Sequence, residues 1–182
     1  MTKMKHHPNT LTLLSAWERM TETTAPQAGV ERASDHPELL ECLFVIECSD
    51  EGRWLFRNAG TQLGQLLGRD LAEHDCLDFW TGHDRIMVSS LIASVRESRR
   101  PGIIQATGET LTGTQVNVEL TLAPLPTSPT GSGLQRLLGL YQVVEPRSIL
   151  KGRPVWRHRV TGVFPPSIDR PHSHLRLVAS ND

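Results

Sequence analysis

Cysteine thiols are the most reactive side chains in this sequence of 182 residues. The chain has three of them, Cys42, Cys48 and Cys76. An odd number of cysteines without C-x-x-C spacing matches neither a disulfide framework nor a zinc ribbon. We therefore predict free thiols that are buried as small apolar side chains.

Serine and histidine side chains raise a second kind of chemistry, hydrolysis. It requires a nucleophile, a base and an orienting acid that converge on one cleft. None of the candidates lies in a nucleophile elbow or another strained turn, so we predict no catalytic residue and no enzyme activity. These candidates include Ser89, Ser90, His74 and His83.

Histidine pairs occur near both ends of the chain, in "KHHP" and "PHSH". In ends that we expect to be flexible, such pairs are usually solvated side chains. A metal site at either pair is therefore an alternative, and we predict no metal.

Basic and acidic side chains are distributed unevenly. Residues 1–146 carry 12 Lys and Arg against 18 Asp and Glu, whereas residues 147–182 carry 7 against 2. In the basic part Trp156 lies among three arginines, and such a cluster can stack on nucleic-acid bases. Because the body is acidic and no DNA-binding motif precedes this part, docking to an acidic partner or a segment that covers the protein itself is favoured over nucleic acid.

Apolar residues at three-residue steps predict a helix over "TLTLLSAWERMTE", with Thr10 as its N-cap. The apolar stripe consists of Leu11, Leu14, Trp17 and Met20. Such a helix needs a partner surface, and we expect it to dock on an exposed sheet face and to join a homodimer interface. A buried tryptophan such as Trp17 is the expected hot spot of that contact.

Five segments have the alternation or the composition of strands. "CLFVIECS" and "RWLFRN" form a hairpin, and "GIIQATGET", "TQVNVELTLAPL" and "LQRLLGLYQVVE" follow a helical middle. Pairing the first and the last strand, the two most apolar ones, closes a five-stranded antiparallel sheet with helices on one face, an α+β fold. The middle contains a short helix, "TQLGQLLG", and a long one, "GHDRIMVSSLIASVRESRR", whose apolar stripe is Ile86, Val88, Leu91, Ile92 and Val95.

The chain is thereby divided into four parts. A flexible N-terminus covers residues 1–9, the leading helix and a connector cover 10–40, the α+β core covers 41–146, and a flexible basic tail covers 147–182. The part after Glu145 has five prolines and no lasting periodicity, so it cannot bury enough apolar surface to fold alone.

Several motifs resemble the PAS domain family. They are Trp17 in the leading helix, "FRNAGTQLGQLLGRDL", "DFWTGHDR", and the closing "APLP" and "LLGLYQVV". The resemblance covers roughly residues 11–145 and extends more narrowly to the small single-domain PAS proteins of alphaproteobacteria. It implies a regulatory protein that signals by protein contact in a pathway such as motility or cell-cycle control.

A PAS fold implies a pocket between its sheet and its helices. We assign Trp54, Phe56 and Trp80 to this ligand site, with His83 at its edge. The alternative is that the aromatic rings fill the core. A small-molecule sensor is therefore the main alternative to a protein-interaction adaptor.

Flavin and haem are cofactors of some PAS domains, and neither is predicted here. In light-sensing relatives the reactive cysteine follows "G-R-N" immediately, whereas here Gly68-Arg69 is followed by Asp70 and the cysteine comes later. His83 lies near the place where haem-binding relatives have a proximal histidine, but an exposed first-turn residue is the simpler interpretation. Haem or another small ligand is the lesser alternative.

No run of apolar residues reaches the about 18 that span a bilayer, and the N-terminus "MTKMKHHPNT" has no signal-peptide core. We expect a cytoplasmic protein without membrane contact. No kinase, cyclase or methyl-accepting module follows the predicted domain, so we expect the output to pass through a regulatory protein partner.

Overall fold

The computed structural model describes residues 6–22, 37–126 and 135–166. Within these ranges the helices are α1 (Pro8–Glu22), α2 (Pro37–Leu40), α3 (Thr61–Leu67) and α4 (Gly82–Ser98). The strands are β1 (Leu43–Cys48), β2 (Trp54–Ala59), β3 (Gly102–Thr110), β4 (Gln115–Pro124), β5 (Arg136–Val143) and β6 (Val155–Phe164). Two 3-10 turns cover Cys76–Phe79 and Arg147–Leu150.

The strands form a single antiparallel sheet in the order β2-β1-β5-β4-β3-β6. β1 lies between β2 and β5, with Ile46 opposite Phe56 on one side and opposite Leu137 on the other. The predicted pairing of the first and last apolar strands at the centre of the sheet is confirmed. It satisfies the backbone hydrogen-bonding groups of β1 on both of its edges.

The prediction of five strands is wrong by one, because part of the predicted flexible tail forms β6. This strand pairs with β3 over residues 155–164. Val155 is fully buried and His158 is 2% exposed. Two bulges break the two-residue alternation and arginines occupy outward positions, which is why the segment resembles a solvated basic tail in sequence. Residues 167–182 of the predicted tail lie outside the described residues.

α1 begins at Pro8, two residues before the predicted cap. Proline is well suited to the first helical position, since the N–H that it lacks has no partner there. Thr10 therefore lies inside the helix, fully buried against the sheet, and is not its N-cap. The predicted flexible N-terminus is corrected for residues 6–9, which belong to this docked end. Residues 1–5 and the connector 23–36 lie outside the described residues.

Helices cover both faces of the sheet. α3, α4 and the turn Cys76–Phe79 pack on the inner face, and α1 contacts β4 and β5 on the outer face. The first residue of the predicted α4 stripe, Ile86, is 62% exposed. The buried members of that stripe are Val88, Leu91, Ile92 and Val95.

The turn from β2 into α3 depends on two glycines. Gly60 has an ordinary φ of −64°, but a Cβ there would lie 2.2 Å from the carbonyl oxygen of Glu41. Gly68 ends α3 in the left-handed region with a φ of 68°, and its N–H donates to the carbonyl of Gly64. α3 is thus positioned by the close contact of Gly60 with the Glu41 backbone at its start and by the left-handed cap at Gly68 at its end. Its Leu63 side chain lines the cavity on the inner face of the sheet.

Candidate functional site

A small cavity lies between the inner face of the sheet and helices α3 and α4. Its volume is about 30 Å³, which is room for about two water molecules. The polar groups on its wall are the Tyr141 hydroxyl, the His158 imidazole and the Cys76 thiol. The aromatic rings that surround it are Phe44, Phe56, Phe79 and Trp80.

The two polar rings on the cavity wall join β5 to β6. The Tyr141 hydroxyl lies 2.8 Å from Nε2 of His158, and Nδ1 of His158 lies 3.3 Å from the carbonyl oxygen of Phe79. A carbonyl only accepts, so Nδ1 carries the proton, Nε2 accepts, and the tyrosine hydroxyl donates. Both imidazole nitrogens are thereby engaged within the protein.

Burial keeps this pair uncharged. Removal from water lowers the pKa of His158 to about 4, although the hydrogen bond to the Phe79 carbonyl opposes the shift. Burial also raises the pKa of the Tyr141 hydroxyl. The Trp80 ring packs against the imidazole with 5.0 Å between ring centroids. The histidine therefore holds an aromatic wall together and offers no charge to a ligand.

The four predicted ligand-site residues lie in different places. Phe56 and Trp80 line the cavity. Trp54 is buried in the core but is not part of the cavity wall. His83 is exposed in the first turn of α4 and is not among the residues that line the cavity.

The sequence analysis missed the polar pair. Tyr141 is the single tyrosine of the chain and lies in an apolar strand, which is a usable signal for a buried hydroxyl that needs a partner. His158 gave no such signal, because its segment was assigned to the flexible tail.

The three cysteines are free thiols, as predicted, and Cys42 and Cys76 are buried, whereas Cys48 is half-buried. Burial raises the pKa of the Cys76 thiol, and the nearby Asp75 carboxylate adds to this. Burial also raises the pKa of Cys42, although an Arg147 nitrogen lies 3.0 Å from its sulfur. Protonated, buried thiols are poor nucleophiles.

The residues predicted for an interface do not share one face of α1. Trp17 is 9% exposed and donates its indole N–H to the Pro124 carbonyl at 2.8 Å. Leu14 is half-buried, whereas Leu11 and Met20 are 52% and 54% exposed. Three-residue steps fall short of the helical repeat of about 3.6 residues, so the predicted stripe drifts around the helix.

The face of α1 that docks on the sheet begins at Thr10 and continues through Leu13 and Trp17. This spacing of three and four residues keeps one side of a helix in register. Leu13 is 4% exposed and belongs to the hydrophobic core, which the sequence analysis missed.

A buried carboxylate holds the N-terminal end of α1. One Glu119 oxygen lies 3.0 Å from Nδ1 of His6, and the other accepts the backbone N–H of His7 at 2.9 Å. Burial opposes ionisation, but hydrogen bonds from Thr10, His6 and the His7 backbone hold the pKa of Glu119 below its usual value. The "KHHP" pair thus anchors a helix to β4.

The other candidates for chemistry are dispersed. Ser89, Ser90 and His74 are exposed. Among the described residues, no three His, Cys, Asp or Glu side chains lie together as a metal site would require. In the same part of the chain no helix is long and apolar enough to cross a membrane. The "PHSH" pair lies outside the described residues.

The basic residues of the predicted tail lie on a folded strand and its approach. Arg157 and Arg159 are exposed on β6, and Trp156 between them and the preceding turn is 52% exposed. Arg153 donates to the Thr112 hydroxyl at 2.8 Å. These side chains form a basic surface at the edge of the sheet.

Comparison with known families gives the class of this protein. A family model described as "PAS domain" matches residues 4–142. The chain therefore belongs to the PAS domain family, which is typical of signalling and sensory proteins. β6 lies beyond the matched residues. A search of curated proteins finds no match.

Solved structures with a similar fold include blue-light photoreceptors. The dark structure of Aureochrome1 LOV has 15% identity, covers 69% of this chain and 91% of its own, and gives a TM-score of 0.47. A fungal LOV domain photoreceptor has 15% identity with coverages of 75% and 94% and a TM-score of 0.44. The photo-excited photoreceptor Vivid has 9% identity with coverages of 76% and 99% and a TM-score of 0.44. Similarity at this level gives no information about ligand or activity.

The side chains of this chain do not fit a flavin or a haem. The rings around the cavity leave about 30 Å³, far less than either cofactor needs. The Cys76 thiol is protonated and buried, and a reactive cysteine needs the opposite environment. For haem, His83 is exposed away from the cavity and both nitrogens of His158 are hydrogen-bonded, so neither presents a ligand to iron.

Proposed function

We propose that this PAS chain is a non-enzymatic regulatory protein of the cytoplasm that acts by contact with other proteins and forms a homodimer. Its narrower resemblance to the small single-domain alphaproteobacterial PAS proteins, the group that includes the regulator MopJ, supports a role in motility or cell-cycle control. In this proposal a regulatory partner protein receives the signal.

The observation that carries the proposal is the filled interior of the fold. Small-molecule sites in proteins usually have volumes of about 300–1,000 Å³. The cavity here has about 30 Å³, because aromatic rings and the Tyr141–His158 pair occupy the space between sheet and helices. A PAS domain without room for an organic ligand must draw its specificity from its surface.

The proposed dimer contact is the exposed apolar surface of α1. Leu11 and Met20 are more than half exposed on the two flanks of the docked helix, and Leu14 is half-buried on the same flank as Leu11. A second copy of the chain that packs along α1 would remove these apolar side chains from water, which favours association. Trp17 contributes to this contact indirectly, because its hydrogen bond to the Pro124 carbonyl holds α1 on the sheet.

Sedimentation equilibrium tests the dimer. Leu11→Glu combined with Met20→Glu should convert a dimer into a monomer without changing the urea midpoint of the monomer fold. Leu111→Glu is the matched control, because Leu111 is 77% exposed on the turn between β3 and β4. A mass in solution that stays unchanged in the double variant would show that α1 is not the contact.

A small-molecule sensor is the alternative function, and the hydroxyl and imidazole on the cavity wall are the observation in its favour. Opening of the aromatic wall would expose both groups to a ligand with hydrogen-bonding atoms. An absorption spectrum of the purified protein, recorded before and after addition of hemin, tests the coloured cofactors. A Soret band would support the alternative.

A nucleic-acid-associated function is the second alternative, based on Arg157, Arg159 and Trp156 on β6. Salt-sensitive retardation of labelled DNA would support it. Truncation at Glu145 is unsuitable as a test, because it also removes the buried Val155 and His158. Charge reversal at Arg157 and Arg159 leaves the core intact, and retardation that survives it would exclude this surface.

A further inference from the structure

A second and larger concavity lies outside the cavity described above and shares no described lining residue with it. It is a groove of about 760 Å³ between α1, the C-terminal end of α4 and the ends of β3 and β6. Its volume is within the range of about 300–1,000 Å³ that is usual for binding sites. Because the interior is filled, this groove is the concavity among the described residues that has room for a ligand group.

The floor of the groove is apolar. Trp17 and Ile103 are 9% and 6% exposed, and Phe164 and Leu14 are half-buried beside them. The indole N–H of Trp17 is already donated to the Pro124 carbonyl, so the ring presents apolar surface. Apolar side chains that line a fixed concavity favour an apolar group of a ligand.

One end of the groove is basic. Arg99 and Arg100 follow the last turn of α4, and both side chains are exposed. Arg99 forms no ion pair or hydrogen bond with the described residues. Glu18 is the single acidic side chain among the described residues that line the groove. The Arg99 guanidinium therefore complements a carboxylate.

We propose that this groove binds a short acidic segment of a partner protein. One apolar side chain of that segment lies on the floor formed by Trp17, Ile103 and Phe164, and a neighbouring carboxylate pairs with Arg99. A guanidinium matches a carboxylate in two parallel hydrogen bonds, which gives this end its selectivity. The inference rests on the proposed function, because it names the chemistry of the partner that the regulatory protein contacts.

A labelled model peptide tests the proposal. The probe is a short fluorescein-labelled peptide with one leucine and one phenylalanine flanked by aspartates, and its matched version carries lysines in place of the aspartates. Fluorescence anisotropy with the full chain should show saturable binding of the aspartate peptide, weaker at high salt, and no binding of the lysine peptide. In nitrogen-15 spectra the peptide should shift the indole N–H signal of Trp17 and leave that of Trp54 in place.

Two charge reversals on the same helix end give the matched control. Arg99→Glu should weaken binding about tenfold or more, which is the effect of replacing a charged hydrogen bond with a repulsion. Arg96→Glu makes the same charge change one turn earlier, outside the described lining of the groove, and should leave binding unchanged. Urea unfolding of both variants checks that each is folded.

The proposal would be overturned if both peptides bind equally or if the two charge reversals have equal effects on binding. It would also be overturned if the peptide shifts the indole N–H signal of another tryptophan and not that of Trp17. Binding of a labelled single-stranded DNA in the groove, in preference to the aspartate peptide, would assign it to another class of partner and would also overturn it. Leu14 belongs to both surfaces, but Leu11 and Met20 lie outside the described lining of the groove, so the dimer experiment substitutes no groove residue. If the chain forms a dimer but does not bind the aspartate peptide, this inference is refuted and the proposed function is not.

Discussion

The Tyr141 hydroxyl donates a 2.8 Å hydrogen bond to Nε2 of His158, and this bond ties the edge strand β6 to β5 in the interior of the sheet. Tyr141 and His158 are 4% and 2% exposed, so neither group reaches the bulk solvent. The bond fixes a strand that lies beyond the family match and closes the cavity wall. It is the feature that makes this PAS interior a packed core.

Tyr141→Phe should destabilise the protein by about 1–3 kcal/mol, because it keeps the ring but leaves Nε2 of His158 buried without a donor. Urea unfolding measures the change in free energy. Trp156→Phe is the control on β6, the strand that carries His158, since Trp156 is 52% exposed and its change should be within about 0.5 kcal/mol. Equal stability of Tyr141→Phe and the unchanged protein would show that the hydrogen bond contributes nothing.

The stability of the protein should fall as the pH falls from 6.5 to about 4 because of His158. The pKa of His158 is lowered in the folded state, so the unfolded chain binds a proton in this window and the folded chain does not. The contribution is fully present above the unfolded pKa and changes by at most about 1.4 kcal/mol per pH unit.

Urea midpoints measured across that window test the dependence on pH. In His158→Gln the free energy of unfolding should vary less steeply with pH, because the contribution of the histidine is removed. The carboxyls of Glu47 and Glu119 also have lowered pKa values, and their contribution is lost at lower pH, below the usual carboxyl pKa of 4.5. An identical slope in the variant would contradict the neutral, buried state of His158.

Gly139→Ala should disrupt the contact between β1 and β5. A Cβ at Gly139 would lie 2.0 Å from a ring carbon of Phe44, so the ring or the strand must move, at a cost of about 1–3 kcal/mol or more. Gly162→Ala is the control, because the nearest atom to its added Cβ would be 3.4 Å away. Phe44→Leu in the same chain should recover part of the loss in a double-mutant cycle. A Gly139→Ala protein with normal stability would exclude this close approach.

The three thiols should react at different rates with a disulfide reagent. Cys48 is half-buried and should react in the folded protein, whereas Cys42 and Cys76 should react only after unfolding. Burial and a raised pKa both slow the two buried thiols. Peptide mapping after brief labelling identifies the modified residue. Rapid labelling of Cys76 in the folded protein would contradict its burial and would support a reactive cysteine in the cavity.

The sequence predicts the parts of the fold in which local periodicity and burial agree. The α4 stripe from Val88 to Val95 and the alternation of β4 are simple patterns with one buried side. Central pairing of β1 and β5 follows because both strands are apolar on nearly every residue. Each of these patterns can be recognised from the residues of a single helix or strand, without knowledge of its contacts.

The parts that the sequence does not predict depend on contacts between distant segments. β6 is recognisable only through its pairing with β3, because two bulges break its alternation. The docked face of α1 is fixed by the match of Thr10 and Trp17 to β4. The three-residue steps mislead because, over nine residues, they bring Leu11 and Met20 to opposite sides of the helix. His158 becomes important only when β6 brings it to Tyr141 and Phe79.

Native mass spectrometry of the protein purified from its native cells tests the central claim, which is that this PAS domain has a filled interior and works through its surface. The account predicts the mass of two polypeptide chains with no retained compound. A small molecule that stays bound to each chain and is released on unfolding would contradict it, because the packed rings leave a cavity of only about 30 Å³.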